Sequence, residues 1–337
     1  MGAMVMGLPY SDTVIVNHAL LYLPLNKPLK PVSQGMHLDS IRAMMLRGEY
    51  DRASRFVVDL SRKEGYGAKR WTDPFIPAFQ LVIDMKKDSL KEYSRSVNFR
   101  TGEAGVKWQD DAGEFNRSTF VSRKDNLIIT RILSDSAAIN CGISLQKRHT
   151  NGWWEGIDKR SSSGINPESV SVSENTLTYH ADFENKWEGM IKGYEGGTMV
   201  FNKNGQLVSD GKSIKVTGAS EILLITWVDP VFEGGKDINQ QRISDIKTNL
   251  KDYDGYLKDH VAIHGDLFDR VSLRLDGDRG ITEKPVEEII RTVEGNPDPA
   301  LVELSFNAAR YNIISAAGVN PPNLQGIWSG TLTVLIS

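Results

Sequence analysis

The chain has a single cysteine, Cys141, in 337 residues, so an internal disulfide is excluded. An excess of one charge is missing too. Forty Lys and Arg stand against 43 Asp and Glu, a net charge of −3, and the basic residues are scattered along the chain. Nucleic acid is therefore not an expected partner. No segment reads as a membrane span. The first 25 residues lack Lys and Arg and are interrupted by Asp12, Asn17 and His18, so no export leader is expected there. Met6 occupies the position where a myristoylation signal wants Ser or Thr. There is no repeat, low-complexity tract or heptad pattern, and no motif that asks for a cofactor.

What is present is strand signal, framed by helices. A length of 337 residues exceeds one ordinary domain, which predicts two units or one large β unit with appendages. After the opening strands a helical pattern runs from Ser40 to about Leu60, with Ala53, Phe56, Val57 and Leu60 at core spacing. From about Gln80 to Phe232 the period changes to two. Val97/Phe99 and Val106/Trp108 flank Gly102–Gly105, Phe115, Arg117, Thr119 and Val121 alternate, and Leu127–Leu133 is a β-branched run. Ile139, Cys141, Ile143 and Leu145 share one face, which places the lone thiol in a buried strand rather than in a catalytic role. Leu177, Tyr179, Ala181 and Phe183 repeat the pattern, Asn204-Gly205 is a hairpin turn, and Glu221–Val228 reads as a central strand. Many short strands with Gly and Asn turns predict a large antiparallel β-sandwich. Between Asp237 and Phe268 the period returns to 3.6, predicting a linker helix broken near Gly255, and a short helix follows around Val286–Val293.

Candidate chemistry is sparse. His260 and His264 have one metal-ligand spacing, but Val261-Ala262-Ile263 between them lacks a glutamate and no third ligand is evident, so no metal is expected. Asp269, Asp276 and Asp278 near Gly277 lack the ordered spacing of a calcium loop and read as a solvated turn. Trp153, Trp154 and Glu155, joined by Trp187 and Glu188, carry two readings. They form a saccharide platform, because aromatic faces stack on sugar rings and carboxylates accept from hydroxyls, or one tryptophan plugs the end of the sandwich.

The last forty residues carry more. Asp298 is an N-cap, Pro299 suits the first helical position, and Gly318 with Pro321 marks a stop, which predicts a helix over 299–317. Val302, Phe306, Ala309 and Ile313 share a face, Leu301, Leu304, Ala308 and Ile314 cover much of the rest, and only Glu303, Asn307 and Asn312 form a polar strip. Such a helix expects neighbours on several sides. The run Thr331–Ser337 that follows suffices for one short strand only, so the chain reads as the front part of something longer.

The segment Ala309–Ser315, followed by Asn323-Leu324-Gln325-Gly326-Ile327-Trp328, resembles the entry into the catalytic barrel of glycoside hydrolase family 95, the α-L-fucosidase family. Leu267–Leu273, His260-Val261, Gly218–Glu221, Phe120–Ser122, Ser40–Arg42, Leu46–Ala53 and Met1–Gly7 fit in order, so the likeness covers essentially the whole chain. Where the family has Asn-Glu-x-x-Leu-Trp, this chain reads Asn17-His18-Ala19-Leu20-Leu21-Tyr22. The resemblance implies a mainly β protein: a sandwich over 1–236 with a helical insertion near 40–61, a linker over 237–297, and over 298–337 the first helix of a truncated (α/α)6 barrel. It implies an inverting hydrolase whose water-positioning asparagines and general-acid glutamate lie beyond the Asn-Leu-Gln-Gly-Ile-Trp motif, hence a chain inactive alone. It further implies a carbohydrate partner such as a fucosylated glycan, a periplasmic or secreted parent, and sugar contacts from Asn323, Gln325 and Trp328 beside those of Trp153 and Trp154, with packing under the first helical hairpin as the other reading of Trp328. The alternative is a stand-alone carbohydrate-binding or interaction module.

Overall fold

The structure, a computed structural model, describes residues 1–66, 73–148, 164–235, 237–277, 280, 284–291, 298–322 and 326–328. Trp153, Trp154, Glu155, Asp278, Val293, Asn323, Gln325 and the run Thr331–Ser337 lie outside the described residues.

Fourteen strands form two sheets among the described residues, mainly β with helices after the sheets. The strands are β1 Gly2–Val5, β2 Ser11–Asn17, β3 Phe79–Met85, β4 Glu92–Asn98, β5 Glu103–Gln109, β6 Glu114–Ser122 and β7 Leu127–Leu133. The series continues with β8 Ile139–Gln146, β9 Ile165–Ser173, β10 Thr176–Phe183, β11 Gly193–Lys203, β12 Gln206–Ser209, β13 Ser213–Ala219 and β14 Glu221–Val231. A six-stranded sheet has the order β1-β2-β3-β8-β13-β12, an eight-stranded one β4-β5-β6-β7-β14-β11-β10-β9. Every pairing between these strands is antiparallel. The Asn204-Gly205 turn has φ of 60° and 70°, the left-handed pair that a tight hairpin needs, and a Cβ on Gly205 would meet the Thr217 carbonyl at 2.3 Å.

The two sheets share a core. The expected face Leu177, Tyr179, Ala181 and Phe183 is buried, and Tyr179 stacks on Phe79 of the other sheet at 5.0 Å. The Tyr194 hydroxyl donates to the Ala78 carbonyl at 2.6 Å. Cys141 is a buried strand residue, its thiol pushed up to about 12 by desolvation. Polar groups inside the sandwich are matched across strands: Thr119 with Thr130 at 3.0 Å and Thr198 with Thr226 at 2.8 Å. The edge strand β4 differs from the alternation read in sequence, for it is exposed on both faces and Val97 with it.

Helices cover the outer face of the eight-stranded sheet. They are α3 Ile238–Thr248 and α4 Tyr253–Asp269 in the linker; α5 Val286–Arg291 follows, and α6 Pro299–Ala316 packs on α4, while two more, α1 Leu38–Leu46 and α2 Tyr50–Lys63, lie earlier in the chain. Phe120, Ile129, Met199, Ile225 and Trp227 from the strands pack with Ile246, Tyr253 and Tyr256 from α3 and α4. The central strands are thus buried on both faces, the reason Leu127–Leu133 is apolar without alternation. The linker breaks earlier than the sequence suggested. Asn249–Asp252 separates α3 from α4, and Gly255 sits in the first turn of α4, its N–H capped by Asp252 at 2.8 Å. An N-cap carboxylate outweighs an isolated glycine as a boundary signal.

Residues Pro24–Asp73 form a separate compact unit. The single helical pattern from Ser40 is two helices, α1 and α2, with Met44 and Ala53 buried. Asp73 closes the unit by accepting from the backbone of Leu25 and Asn26, both at 3.1 Å.

Candidate functional site

A cavity of about 620 Å³ opens where the β1 strand, the segment after β2, the hairpin turns of the eight-stranded sheet, α4 and the end of α6 converge. Its size is that of a small-molecule site. Each wall has a local cause. Tyr22 and Phe75 pair across an isolated antiparallel bridge with ring centroids 5.3 Å apart. His260 and His264, one turn apart on α4, project from the same face with centroids 5.1 Å apart. Tyr311 of α6 packs on Phe99 at 5.4 Å and meets His264 edge-on at 6.1 Å.

Arg123, in the β6–β7 turn, ties these pieces together. Its backbone N–H donates to His260 Nδ1 at 3.2 Å. Its guanidinium donates to the Ile314 carbonyl and, at 3.3 Å, to that of Ala317, capping the C-terminal end of α6, where the helix dipole favours a cation. Farther back, Arg310 donates to the Phe268 carbonyl at 2.7 Å, seating α6 on α4. The apolar face that expected several neighbours is still largely uncovered: Phe306 is half-buried, while Val302, Ala309 and Ile313 are exposed.

Electrostatically the cavity is neutral to basic. Burial holds the His260 imidazole down to about 4, helped by His264 and Arg123. Burial lowers His264 as well, whose Nε2 lies 3.0 Å from the Phe99 carbonyl, and holds His18 to about 4. All three rings are neutral at pH 7. Among the described lining residues there is no Asp or Glu. The described lining can donate and accept hydrogen bonds and stack rings, and among its residues there is no acid and base pair of the kind glycoside hydrolysis needs. Among the described residues, no group of three or more His, Cys, Asp or Glu is placed to hold a metal ion.

Trp328 lies in this lining beside the end of α6, with Gly326 and Ile327. Asn323, Gln325, Trp153 and Trp154 lie outside the described residues. Trp187 is in the β10–β11 connection, where its carbonyl accepts from Lys192 Nζ at 2.6 Å. Asp269, read as part of a solvated turn, is held by the Arg100 guanidinium at 2.7–3.1 Å. Sequence reasoning missed Arg123, Phe75 and Tyr311 as lining residues. Only Tyr311 had a signal, being part of the Ala-Arg-Tyr-Asn segment.

Residues 1–234 match the family described as glycosyl hydrolase family 65, N-terminal domain. The chain belongs to this family. Residues 252–335 match the glycosyl hydrolase family 95 catalytic domain, so this is a family-95-like protein carrying that N-terminal domain. The cavity straddles the two matches: His18, Tyr22, Phe75 and Arg123 fall in the first, His260, His264, Tyr311 and Trp328 in the second. Among curated relatives, Alpha-L-fucosidase 2 of Arabidopsis thaliana is 24% identical over 98% of this chain and 41% of its own length. "Probable alpha-fucosidase A" of Aspergillus niger is 23% identical over 76% of this chain and 33% of its own. The chain therefore spans less than half the length of these relatives.

Proposed function

We propose that this chain supplies the N-terminal β-sandwich, the linker and the opening helix of the catalytic barrel of a glycoside hydrolase acting on α-L-fucosides. We place the sandwich at 1–236, with its helical insertion, the linker at 237–297 and the start of the barrel at 298–337. The observation that carries this reading is the tandem of family matches, an N-terminal domain over 1–234 and then a catalytic-domain match over 252–335. The absence of Asp and Glu among the described lining residues of the cavity supports a second part of the reading, that these 337 residues do not hydrolyse glycosides unaided. Asn323, Gln325 and Trp328 are then sugar contacts at the barrel entry, and Trp153 and Trp154 form an outlying platform. The substrate is a fucosylated glycan or a related L-sugar glycoside.

The test is an assay of the purified chain on an aryl α-L-fucoside. No release of the aryl alcohol above the blank is expected. Turnover that persists through purification and is specific for the fucoside overturns the claim of inactivity while keeping the substrate class.

A further inference from the structure

Two arginines of the sandwich reach the helices that follow it. Arg100, in the β4–β5 turn, grips Asp269 at the end of α4 with three hydrogen bonds of 2.7–3.1 Å. Arg123, in the β6–β7 turn, has carbonyls as its partners instead, those of Ile314 and Ala317 at the end of α6. Burial works against the half-buried Arg123 charge, and Asp125, two residues on, is taken by Lys251 at 3.1 Å. The negative end of the α6 dipole is therefore the counter-charge of this guanidinium. Helix and arginine depend on each other: an α6 that swung away would leave its last carbonyls and a desolvated cation without partners.

What this pairing holds in place lies just beyond the helix. The chain turns at Gly326, φ 73°, where a Cβ would come within 3.2 Å of both Ala316 and the Trp328 indole, so Trp328 is folded back onto the last turn of α6. Its neighbour Ile327 is received by β1, for a Cβ on Gly2 would stand 2.6 Å from the Ile327 side chain. α6 also rests on α4 through Arg310, but α4 is itself pinned to the sandwich by Arg100. Each of these ties leads back to the sandwich.

We infer that Arg123 is a positioning residue: by capping α6 it sets, from the sandwich, the place of the Gly326–Trp328 turn, without help from further barrel helices. It acts through Trp328 and touches no substrate. Its consequence for binding rests on the reading of Trp328 as a substrate contact; the placement itself does not.

Hydrogen exchange of the full 337-residue chain tests it, together with iodide quenching of Trp328, read as the difference between each protein and its Trp328→Phe counterpart. Arg123→Ala leaves the backbone N–H on His260 and removes only the cap. Exchange in the last turn of α6 should rise about tenfold, and Trp328 should become about twice as quenchable, with exchange in β6, β7 and α3 unchanged. Arg123→Lys, which keeps a cation before the carbonyls, should return exchange to within about threefold of the parent and quenching to the parent's level, whereas the neutral Arg123→Gln should not. A general loss of stability would raise exchange throughout and show no such rescue. Should Arg123→Ala fail to fold, the contrast between Arg123→Lys and Arg123→Gln decides the same point. Parent-like exchange at the end of α6 and parent-like quenching of Trp328 in folded Arg123→Ala or Arg123→Gln overturn the inference. So does a parent chain in which α6 exchanges freely and Trp328 is fully quenchable. Neither result bears on the fucoside reading, which stands or falls on its own assay.

Discussion

Asp12 and Arg117 face each other between the two sheets, 2.7 Å apart and essentially without solvent exposure. The Asp12 carboxylate also accepts from the backbone of Gly7 and Thr13, each at 2.8 Å, and of Leu8 at 3.1 Å, while the guanidinium donates to the Leu8 carbonyl. Burial works against the Arg117 charge and Asp12 opposes that loss. Asp12→Ala strands a buried cation, so unfolding stability should fall by about 3–5 kcal/mol. Denaturant titration checks this; a loss below about 1 kcal/mol shows the guanidinium to be solvated. The cavity histidines give a pH dependence of known sign. His260 has an ordinary value of 6.5 and about 4 in the fold, so the unfolded chain binds more protons between these limits. Its contribution is complete above about pH 6.5 and is lost as the pH falls to 4. Melting temperatures from pH 7.5 to 4 should decline over that window, and His260→Gln should decline less.

At the scale of elements, caps and covers decide where helices begin and what they bury. The Asp298 carboxylate accepts from the Ala300 N–H at 2.8 Å at the start of α6, with Pro299 behind it. Asp298→Ala should cost about 1 kcal/mol and raise hydrogen exchange in the first turn of α6. An unchanged exchange pattern would show the cap to be redundant. The linker helices are fastened to the sheet by polar as well as apolar contacts: Trp227 Nε1 donates to Asn239 at 2.9 Å, and Arg242 forks onto Asp229 at 2.7 and 2.9 Å. A chain ending at Gly235 would lay bare Phe120, Ile129, Met199, Ile225 and Trp227. It should bind a hydrophobic dye and aggregate, as large apolar patches do. A soluble, dye-silent sandwich of the parent's melting temperature would show that the linker is only an attachment.

On the scale of the whole molecule, the unit Pro24–Asp73 departs from and returns to neighbouring points of the sandwich. Leu23 N–H donates to the Pro74 carbonyl at 2.9 Å, and Tyr22 pairs with Phe75. Replacing residues 24–73 by a short turn should therefore leave the remainder folded, with stability changed by no more than about 1 kcal/mol. Loss of cooperative unfolding in that variant would show the unit to be integral. Much of the architecture was legible beforehand. Period-two runs from Phe115 to Val228 marked strands because a pleat alternates its faces, Asn204-Gly205 marked a hairpin because few residues accept left-handed φ, and Asp298-Pro299 marked a helix start because of what the first turn leaves unbonded. The break at Asn249–Asp252 and the exposure of β4 were not legible, since both depend on what packs alongside. Nor was the cavity: His18, Arg123, His260 and Trp328 are far apart in the chain, and nothing local says that they meet. Sequence by itself determined most of the strands, the start of α6 and the family; tertiary structure alone decided that His18, Arg123, His260 and Trp328 line one cavity, because which side chains meet is set by packing in space and not by order along the chain.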